Sequence, residues 1–177
     1  HRPGHINDLI RQLGIDQLYT HQRDAIEKIQ AGVHTVIATP TASGKSLVYN
    51  LPVVDHLIRE PDAHALYLFP LKALARDQLE SVSALLRMAD GFVPRPEGDG
   101  RKQSRLQAGV YDGDITSYQK SKIRKSPPNI LLTNPEMLHL AMLAHHKLWV
   151  DFFSNLKYVI IDEVHTYRGV MGSNMAW

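Results

Sequence analysis

The chain has 177 residues, of which 44% are hydrophobic and 21% charged, an ordinary globular composition long enough for one domain with a buried core. Lysine and arginine total 20, and aspartate and glutamate total 18, so the net charge is only +2 and any binding of nucleic acid must come from local patches. The absence of cysteine excludes disulfides, Cys-ligated zinc, iron–sulfur clusters and a thiol nucleophile, and no apolar run approaches the roughly 18 residues of a membrane span.

Short apolar runs alternate along the chain with segments of helical periodicity. The runs at residues 35–38, 65–69, 130–132 and 158–161 are continuous, which is typical of strands buried on both faces of a parallel sheet. Helices are predicted over residues 20–29, with Thr20 as cap and Gly32 just past the end, over 71–88, and over 135–143, with Asn134 as cap. The order predicts an α/β fold with right-handed crossovers. Residues 90–105, rich in proline and glycine, predict an irregular loop.

Residues 38–46, Ala-Thr-Pro-Thr-Ala-Ser-Gly-Lys-Ser, follow the first predicted strand and precede a helical stretch. Gly-Lys-Ser at such a junction is typical of a phosphate-binding loop, because backbone N–H groups and the helix N-terminus favour an anion. Lys45 would reach the β- and γ-phosphates of a nucleotide, and the Ser46 hydroxyl would ligate Mg²⁺. We expect the preceding residues of the loop to share in nucleotide binding, namely Thr41, Ala42, Ser43 and Gly44.

Two adjacent acids, Asp162 and Glu163, end the last apolar run. Carboxylates in that position are costly unless a cation or hydrogen bonds compensate their charge. Asp162 would hold Mg²⁺ through water, and Glu163 would orient and polarise the attacking water. An ordinary strand-end turn is the alternative for this pair taken alone, but its combination with Gly44-Lys45-Ser46 predicts a site for nucleotide phosphates and Mg²⁺.

Five segments, in chain order, resemble motifs of the superfamily-two helicases. They are residues 19–22 (Tyr-Thr-His-Gln, the Q motif), 39–46 (motif I), 70–78 (motif Ia), 133–138 (a motif that touches the nucleic-acid backbone) and 162–165 (Asp-Glu-Val-His, the DEAD/DEAH box). The resemblance implies a RecA-like P-loop sheet over residues 18–177, with helices on both faces and residues 1–17 as a lead-in segment. It also implies ATP hydrolysis that drives movement along nucleic acid.

The resemblance assigns roles to single residues. The catalytic set would be Lys45, Asp162, Glu163 and His165, with His165 relaying the state of the γ-phosphate to the next motif. Gln22 would read the adenine edge, and Tyr19 would either stack on adenine or simply pack. Contacts to the DNA backbone would come from Lys72, Arg76, Thr133 and Asn134. A solvated helix face remains an alternative for Lys72 and Arg76, and helix capping can coexist with binding at Asn134.

Three further segments resemble a narrower group, the DNA repair helicases typified by mitomycin repair factor A and including the fungal RecQ-four-related helicases. These segments are residues 67–70, 111–114 and 165–170. This resemblance implies 3′-to-5′ translocation on DNA. Ala42 departs from the glycine of many superfamily members, and the loop can still form if that residue avoids a positive φ. Two alternatives stay open, an RNA helicase of the same superfamily and a truncated, non-catalytic nucleotide-binding module.

The sequence stops shortly after the DEAD/DEAH box. The resemblance implies a motif III strand between the motif I and motif II strands, and a second RecA-like domain, both of which are missing here. We therefore expect an incomplete domain that partners ATP and DNA but no membrane. We expect a cytoplasmic location, associated with the nucleoid in a bacterium, or a nuclear one in a eukaryote. The basic runs near residues 101–105 and 120–125 are interpreted as solvated surface, with contact to DNA as the alternative.

Overall fold

The structure, a computed structural model, describes residues 4–38, 44–98, 100 and 105–164. Its α-helices are α1 (Ile6–Gln12), α2 (Thr20–Gln30), α3 (Lys45–Arg59), α4 (Lys72–Ala89), α5 (Ser117–Lys125), α6 (Pro135–Met137) and α7 (Val150–Ser154). Its strands are β1 (His64–Leu68), β2 (Ala108–Val110), β3 (Ile130–Thr133) and β4 (Leu156–Ile161). Turns of 3₁₀-helix occupy Asp90–Phe92 and His146–Trp149, and a π-helix occupies Leu138–Leu143.

The described strands form one parallel sheet in the order β2-β3-β1-β4. Leu68 at the end of β1 pairs with Thr133 of β3 and with Ile161 of β4. The carboxyl ends of these three strands therefore lie at one edge of the sheet, where ligands of open α/β folds bind. Asp162 continues from this edge, and its N–H donates to the carbonyl of Leu68 at 3.1 Å.

Helices cover both faces of the sheet, as predicted. On one face Ala65 and Tyr67 of β1 join a core cluster with residues from α1, α2, α3 and α4. On the other face Leu66 and Leu68 pack with Trp149 and Phe152. The alternation along β1 follows from the two-residue period of a strand, which sends successive side chains to opposite faces. The prediction of an α/β fold with a parallel sheet is confirmed.

The predicted helices form with small differences at their ends. The first begins at Thr20, but Tyr19 rather than Thr20 is its N-cap, because the Gln22 side chain folds back to accept the Tyr19 N–H at 2.9 Å. Gly32 follows the end of α2 with φ +78°, the left-handed conformation that glycine adopts most readily. Asn134 caps α6 by accepting the Met137 N–H, but after three residues the helix continues as π-helix.

The prediction of a strand at residues 35–38 is wrong for this structure. Residues 33–38 have no regular secondary structure, and Val36 is 92% exposed. A strand requires a neighbour for its backbone N–H and C=O groups. The family resemblance implies another strand between this segment and β4, and the described residues contain none, so residues 35–38 have no described strand with which to pair.

The prediction that residues 158–161 are buried on both faces is also wrong. Exposure alternates along β4, with Val159 and Ile161 51% and 41% exposed. Within the described sheet β4 is one of the two edge strands. One of its faces packs on the core through Tyr158 and Ile160, whereas the other lies largely open.

Two features of the region after α4 did not follow from the sequence. Strand β2 is only three residues long and pairs with β3. Within the predicted loop, the Asp90 carboxylate accepts the Arg105 N–H at 2.7 Å and the Leu106 N–H at 3.3 Å, which ties the two ends of the loop together.

No helix in the part of the chain that the structure describes is long and apolar enough to cross a membrane.

Candidate nucleotide and nucleic-acid site

The phosphate-loop residues that the structure describes stand at the start of α3. Gly44 is the N-cap of α3 with φ +87°, and Lys45 and Ser46 are the first two helical residues. Both are partly buried. The turn therefore directs the N–H groups of the first helical turn toward the site where an anion would lie. Thr41, Ala42 and Ser43 lie outside the described residues, as does His165.

Gln22 lies against the phosphate loop. Its side chain is 5% exposed, and its Nε2 stands 3.5 Å from the Gly44 carbonyl, a long contact. A Cβ at position 44 would come within 2.2 Å of that Nε2, so the closeness depends on glycine. Tyr19 is 72% exposed, and its ring stacks on His21 at a centroid distance of 5.7 Å. Tyr19 is thus at the surface rather than packed in the core.

Both oxygens of the Asp162 carboxylate have donors. Oδ1 accepts the Glu163 N–H at 2.7 Å, and Oδ2 accepts the Tyr49 hydroxyl at 2.8 Å. Burial, followed by the negative charge of Asp162, raises the pKa of Tyr49 well above its usual range, so the hydroxyl stays protonated and donates. Glu163 has φ +55°, a left-handed conformation rare for a residue with a side chain.

These residues fit a hydrated Mg²⁺ ion together with a nucleotide. Ser46 and Tyr49 are three apart on α3 and so share a face of the helix. Because Tyr49 reaches Asp162, the bond brings the carboxylate beside the start of the phosphate-binding helix. A hydroxyl and a carboxylate are ligands that Mg²⁺ takes in phosphoryl-transfer sites. The described residues contain no cluster of three or more histidines and acids that could hold a metal ion without such a nucleotide.

The two cations expected to contact DNA are paired with acids of the segment 111–114. Lys72 Nζ lies 3.1 Å from Asp114 Oδ1, and both side chains are about half exposed. Arg76 Nη2 lies 3.0 Å from Asp112 Oδ2, and here the arginine is half exposed while the aspartate is 2% exposed. Asp112 also accepts the Asp114 N–H at 2.8 Å, which fixes the turn between the two acids.

Thr133 and Asn134 stand next to this segment at the end of β3. Thr133 is 1% exposed, and its hydroxyl donates to the Tyr111 carbonyl at 2.6 Å. Its side chain therefore contacts the backbone of the segment 111–114 rather than reaching solvent. The Asn134 side chain is occupied with capping α6. Direct contact with a phosphate at this place would fall to the backbone N–H groups around Asn134 and to Arg76 and Lys72.

Sequence reasoning missed Tyr49, Asp112 and Asp114 as parts of the site. The spacing of Tyr49 from Lys45, four residues on a helix, places both on one face and could have indicated it. The acids of Tyr111-Asp112-Gly113-Asp114 entered only through the family resemblance, because nothing local predicts that they pair with Lys72 and Arg76 some 40 residues earlier.

Comparison with known proteins gives consistent matches. A family model described as DEAD/DEAH box helicase matches residues 19–177. The uncharacterized ATP-dependent helicase YprA of Bacillus subtilis is 44% identical over 171 residues, which cover 97% of this chain and 21% of YprA. The ATP-dependent helicase HRQ1 of Saccharomyces cerevisiae is 37% identical over 161 residues, or 91% of this chain and 14% of HRQ1.

A solved structure agrees with these matches. The crystal structure of the DUF1998 helicase MrfA bound to DNA and AMPPNP has a TM-score of 0.81 and 45% identity over 95% of this chain and 22% of MrfA. The likeness confirms the RecA-like fold. The chain spans no more than about a quarter of the length of these relatives. Since the family model covers all but the first 18 residues, the chain belongs to the DEAD/DEAH box helicase family.

Proposed function

We propose that this chain is the ATP-binding part of an ATP-dependent DNA helicase of the repair type, which couples ATP hydrolysis to movement along one strand. The observation that carries the proposal is the Tyr49–Asp162 hydrogen bond, which joins the phosphate-binding end of α3 to the motif II carboxylate at the carboxyl edge of the sheet. Two segments that the proposal assigns to one nucleotide site, 113 residues apart in sequence, are in contact there.

The proposed chemistry is attack of a water on the γ-phosphorus of ATP, which forms one P–O bond as the bond to the β–γ bridging oxygen breaks and ADP leaves. The N–H groups at the start of α3 and the Lys45 ammonium bind the phosphates. Ser46 and Asp162 would hold Mg²⁺, which would supply neutralisation of charge on the phosphate oxygens. Glu163 follows Asp162 with a left-handed backbone conformation, and its carboxylate would orient the attacking water and take its proton.

DNA would bind across α4 and the segment 111–114. Arg76 and Lys72 are half exposed on the first turns of α4, and exposed cations of this kind contact phosphates without reading bases. Structures of MrfA, a relative at 45% identity, are known bound to DNA and AMPPNP and bound to DNA, which supports this assignment. We further propose that the parent protein is longer, supplies a second RecA-like domain and works where chromosomal DNA is found.

Two variants of the parent protein test the nucleotide site. Lys45→Ala removes the phosphate-binding charge and should abolish DNA-stimulated ATPase activity. Glu163→Gln keeps size and hydrogen bonding but removes the base, so it should bind ATP and DNA normally and turn over at least ~100-fold more slowly. Unchanged turnover in Lys45→Ala would refute the assignment.

A strand-displacement assay tests the DNA activity and its direction. With ATP, the parent protein should unwind a partial duplex that carries a 3′ single-stranded overhang and fail on the matching 5′-overhang duplex. A partial RNA duplex of the same sequence is the control. Preference for RNA would favour the RNA helicase alternative.

A further inference from the structure

The position of the Tyr49 hydroxyl is fixed by the packing of its ring. Tyr49 is 6% exposed, and the edge of its ring meets the Tyr67 ring at a centroid distance of 5.4 Å and an angle of 89°. Tyr67 is itself buried and donates its hydroxyl to Asn50 Oδ1 at 2.8 Å. With its ring held between α3 and β1, Tyr49 can place its hydroxyl in only a narrow range of positions.

The same hydroxyl determines how the Asp162 carboxylate is turned. Asp162 is the residue after β4, and its N–H bonds to β1, so its backbone is fixed by the sheet. Its side chain is then held at Oδ1 by the Glu163 N–H and at Oδ2 by Tyr49. Each carboxylate oxygen can accept a second hydrogen bond, so a water of a hydrated cation can still bind on the open side.

We propose that Tyr49 is a positioning residue that holds the Asp162 carboxylate in the orientation that receives Mg²⁺ and links it mechanically to the helix that begins with Lys45 and Ser46. The proposal rests on the proposed function, because it requires that Asp162 serves a magnesium–nucleotide complex. Groups that hydrogen-bond a metal ligand orient it and commonly change metal affinity when they are removed. In this role Tyr49 acts through its hydrogen bond to Asp162 and needs no contact of its own with nucleotide or metal.

Tyr49→Phe tests the proposal, because it removes one hydroxyl and keeps the ring. Binding of a fluorescent, non-hydrolysable ATP analogue to the parent protein is titrated with Mg²⁺. The Mg²⁺ concentration at half-maximal binding should rise about tenfold, the lower end of what loss of such a partner typically costs. Binding of the analogue in EDTA should stay as in wild type, because the phosphate loop is intact.

Tyr67→Phe is the matched control. It removes a buried hydroxyl from the neighbouring ring, but that hydroxyl bonds to the Asn50 amide and not to Asp162. A general loss of stability would affect both variants, whereas only Tyr49→Phe should shift the Mg²⁺ midpoint. Equal shifts in the two variants, or a wild-type midpoint in Tyr49→Phe, would overturn the proposal. Failure of the wild type to bind the analogue at any Mg²⁺ concentration would refute the proposed function and this inference with it.

A second measurement does not depend on the folding of Tyr49→Phe. With 3-fluorotyrosine at position 49 the hydroxyl is retained, and the ¹⁹F resonance should shift when Mg²⁺ is added to the analogue complex. The same label at position 67 should respond at least several-fold less. A resonance at position 49 that is unmoved by Mg²⁺, with the analogue bound, would contradict the proposal.

Discussion

Gly44 combines two demands that other residues cannot meet. Its φ of +87° lies in the left-handed region, and a Cβ there would approach Gln22 Nε2 to 2.2 Å. Gln22 is buried and already holds the Tyr19 N–H, so its side chain cannot move aside without losing that bond. Gly44→Ala should therefore weaken ATP binding at least about tenfold, since 1.4 kcal/mol of distortion is enough for that factor. Titration of the parent protein with an ATP analogue measures it.

Gly32→Ala is the control for this substitution. Gly32 has a similar φ of +78° but no atom within 4 Å of an added Cβ. Gly32→Ala should lower the free energy of unfolding by about 1 kcal/mol, because alanine is strained in a left-handed conformation. It should leave the affinity for nucleotide unchanged. If both alanine variants bound the analogue as tightly as wild type, the contact between Gln22 and the phosphate loop would not contribute to nucleotide binding.

The ion pairs of α4 predict that removing an acid and removing a base change the affinity for DNA in opposite directions. Asp114 neutralises Lys72 at an exposed position, where a pair is worth about 0.2–1 kcal/mol, and a phosphate competes for the same ammonium. Asp114→Asn should tighten binding of single-stranded DNA by up to about fivefold. Arg76→Ala should weaken binding on all sequences and flatten the log–log salt dependence by about one unit.

Fluorescence anisotropy at several salt concentrations measures both changes. Glu27→Gln on α2 is the control for Asp114→Asn, because it also removes one negative charge but at an exposed position away from α4. It should leave the affinity for DNA unchanged within error. A sequence-dependent loss in Arg76→Ala with an unchanged salt slope would contradict a purely electrostatic backbone contact.

At the scale of elements, the sequence predicted what local patterns determine. The continuous runs at residues 65–69 and 130–132 became β1 and β3, which lie inside the sheet and are buried on both faces. The equally apolar run at residues 35–38 did not become a strand, because pairing depends on a neighbour that no local pattern supplies. Strand β2 was missed for a related reason, since its three residues are fixed by pairing with β3 rather than by their own propensity.

The site could be predicted to the level of its motifs but not of its contacts. Gly44-Lys45-Ser46 and Asp162-Glu163 mark the two halves because their chemistry is unusual at strand ends. Which side chain connects them depends on helix and sheet packing, so Tyr49 became visible only in the structure. At Thr133 the motif indicated more than the side chain can do. The motif resemblance predicts contact with DNA, but the Thr133 side chain is buried and donates its hydrogen bond to the Tyr111 carbonyl.

His64 at the start of β1 predicts a pH dependence of stability. Its ring lies against Phe152, and its Nδ1 bonds to the Pro128 carbonyl at 2.8 Å. Burial lowers the pKa of His64 from 6.5, with the Pro128 bond opposing in part. The folded state therefore binds the proton less readily than the unfolded state, so the contribution is fully present above about pH 6.5 and is lost as the pH falls.

His64→Gln should reduce this dependence, because glutamine can donate to Pro128 and does not titrate. The difference between the thermal midpoints at pH 7.5 and pH 5.5 should be smaller in the variant than in wild type. Some dependence should remain, because burial also lowers the pKa of His56. An unchanged difference would show that the histidine at position 64 does not contribute.

At the scale of the whole molecule, the parallel sheet brings distant motifs together. Residues 49 and 162, 72 and 114, and 111 and 133 meet only because β1, β3 and β4 end at one edge. Their alignment depends on the sheet being stable as a unit. The weak point of that unit in the described residues is β4, whose outer face and outer backbone edge are open.

The last prediction concerns the 177-residue segment by itself. Open strand edges with apolar side chains pair with other chains, and Val159 and Ile161 are 51% and 41% exposed on β4. We expect the isolated segment to melt broadly and to scatter light increasingly with concentration, and to lack DNA-stimulated ATPase activity. A longer fragment of the parent protein that adds a strand beside β4 should melt cooperatively. Val159→Lys in the segment should reduce the light scattering, because a charge on the edge disfavours pairing, but should not sharpen the melt. A sharp, reversible melt of the unmodified segment with DNA-stimulated ATPase activity would mean that β4 needs no further partner.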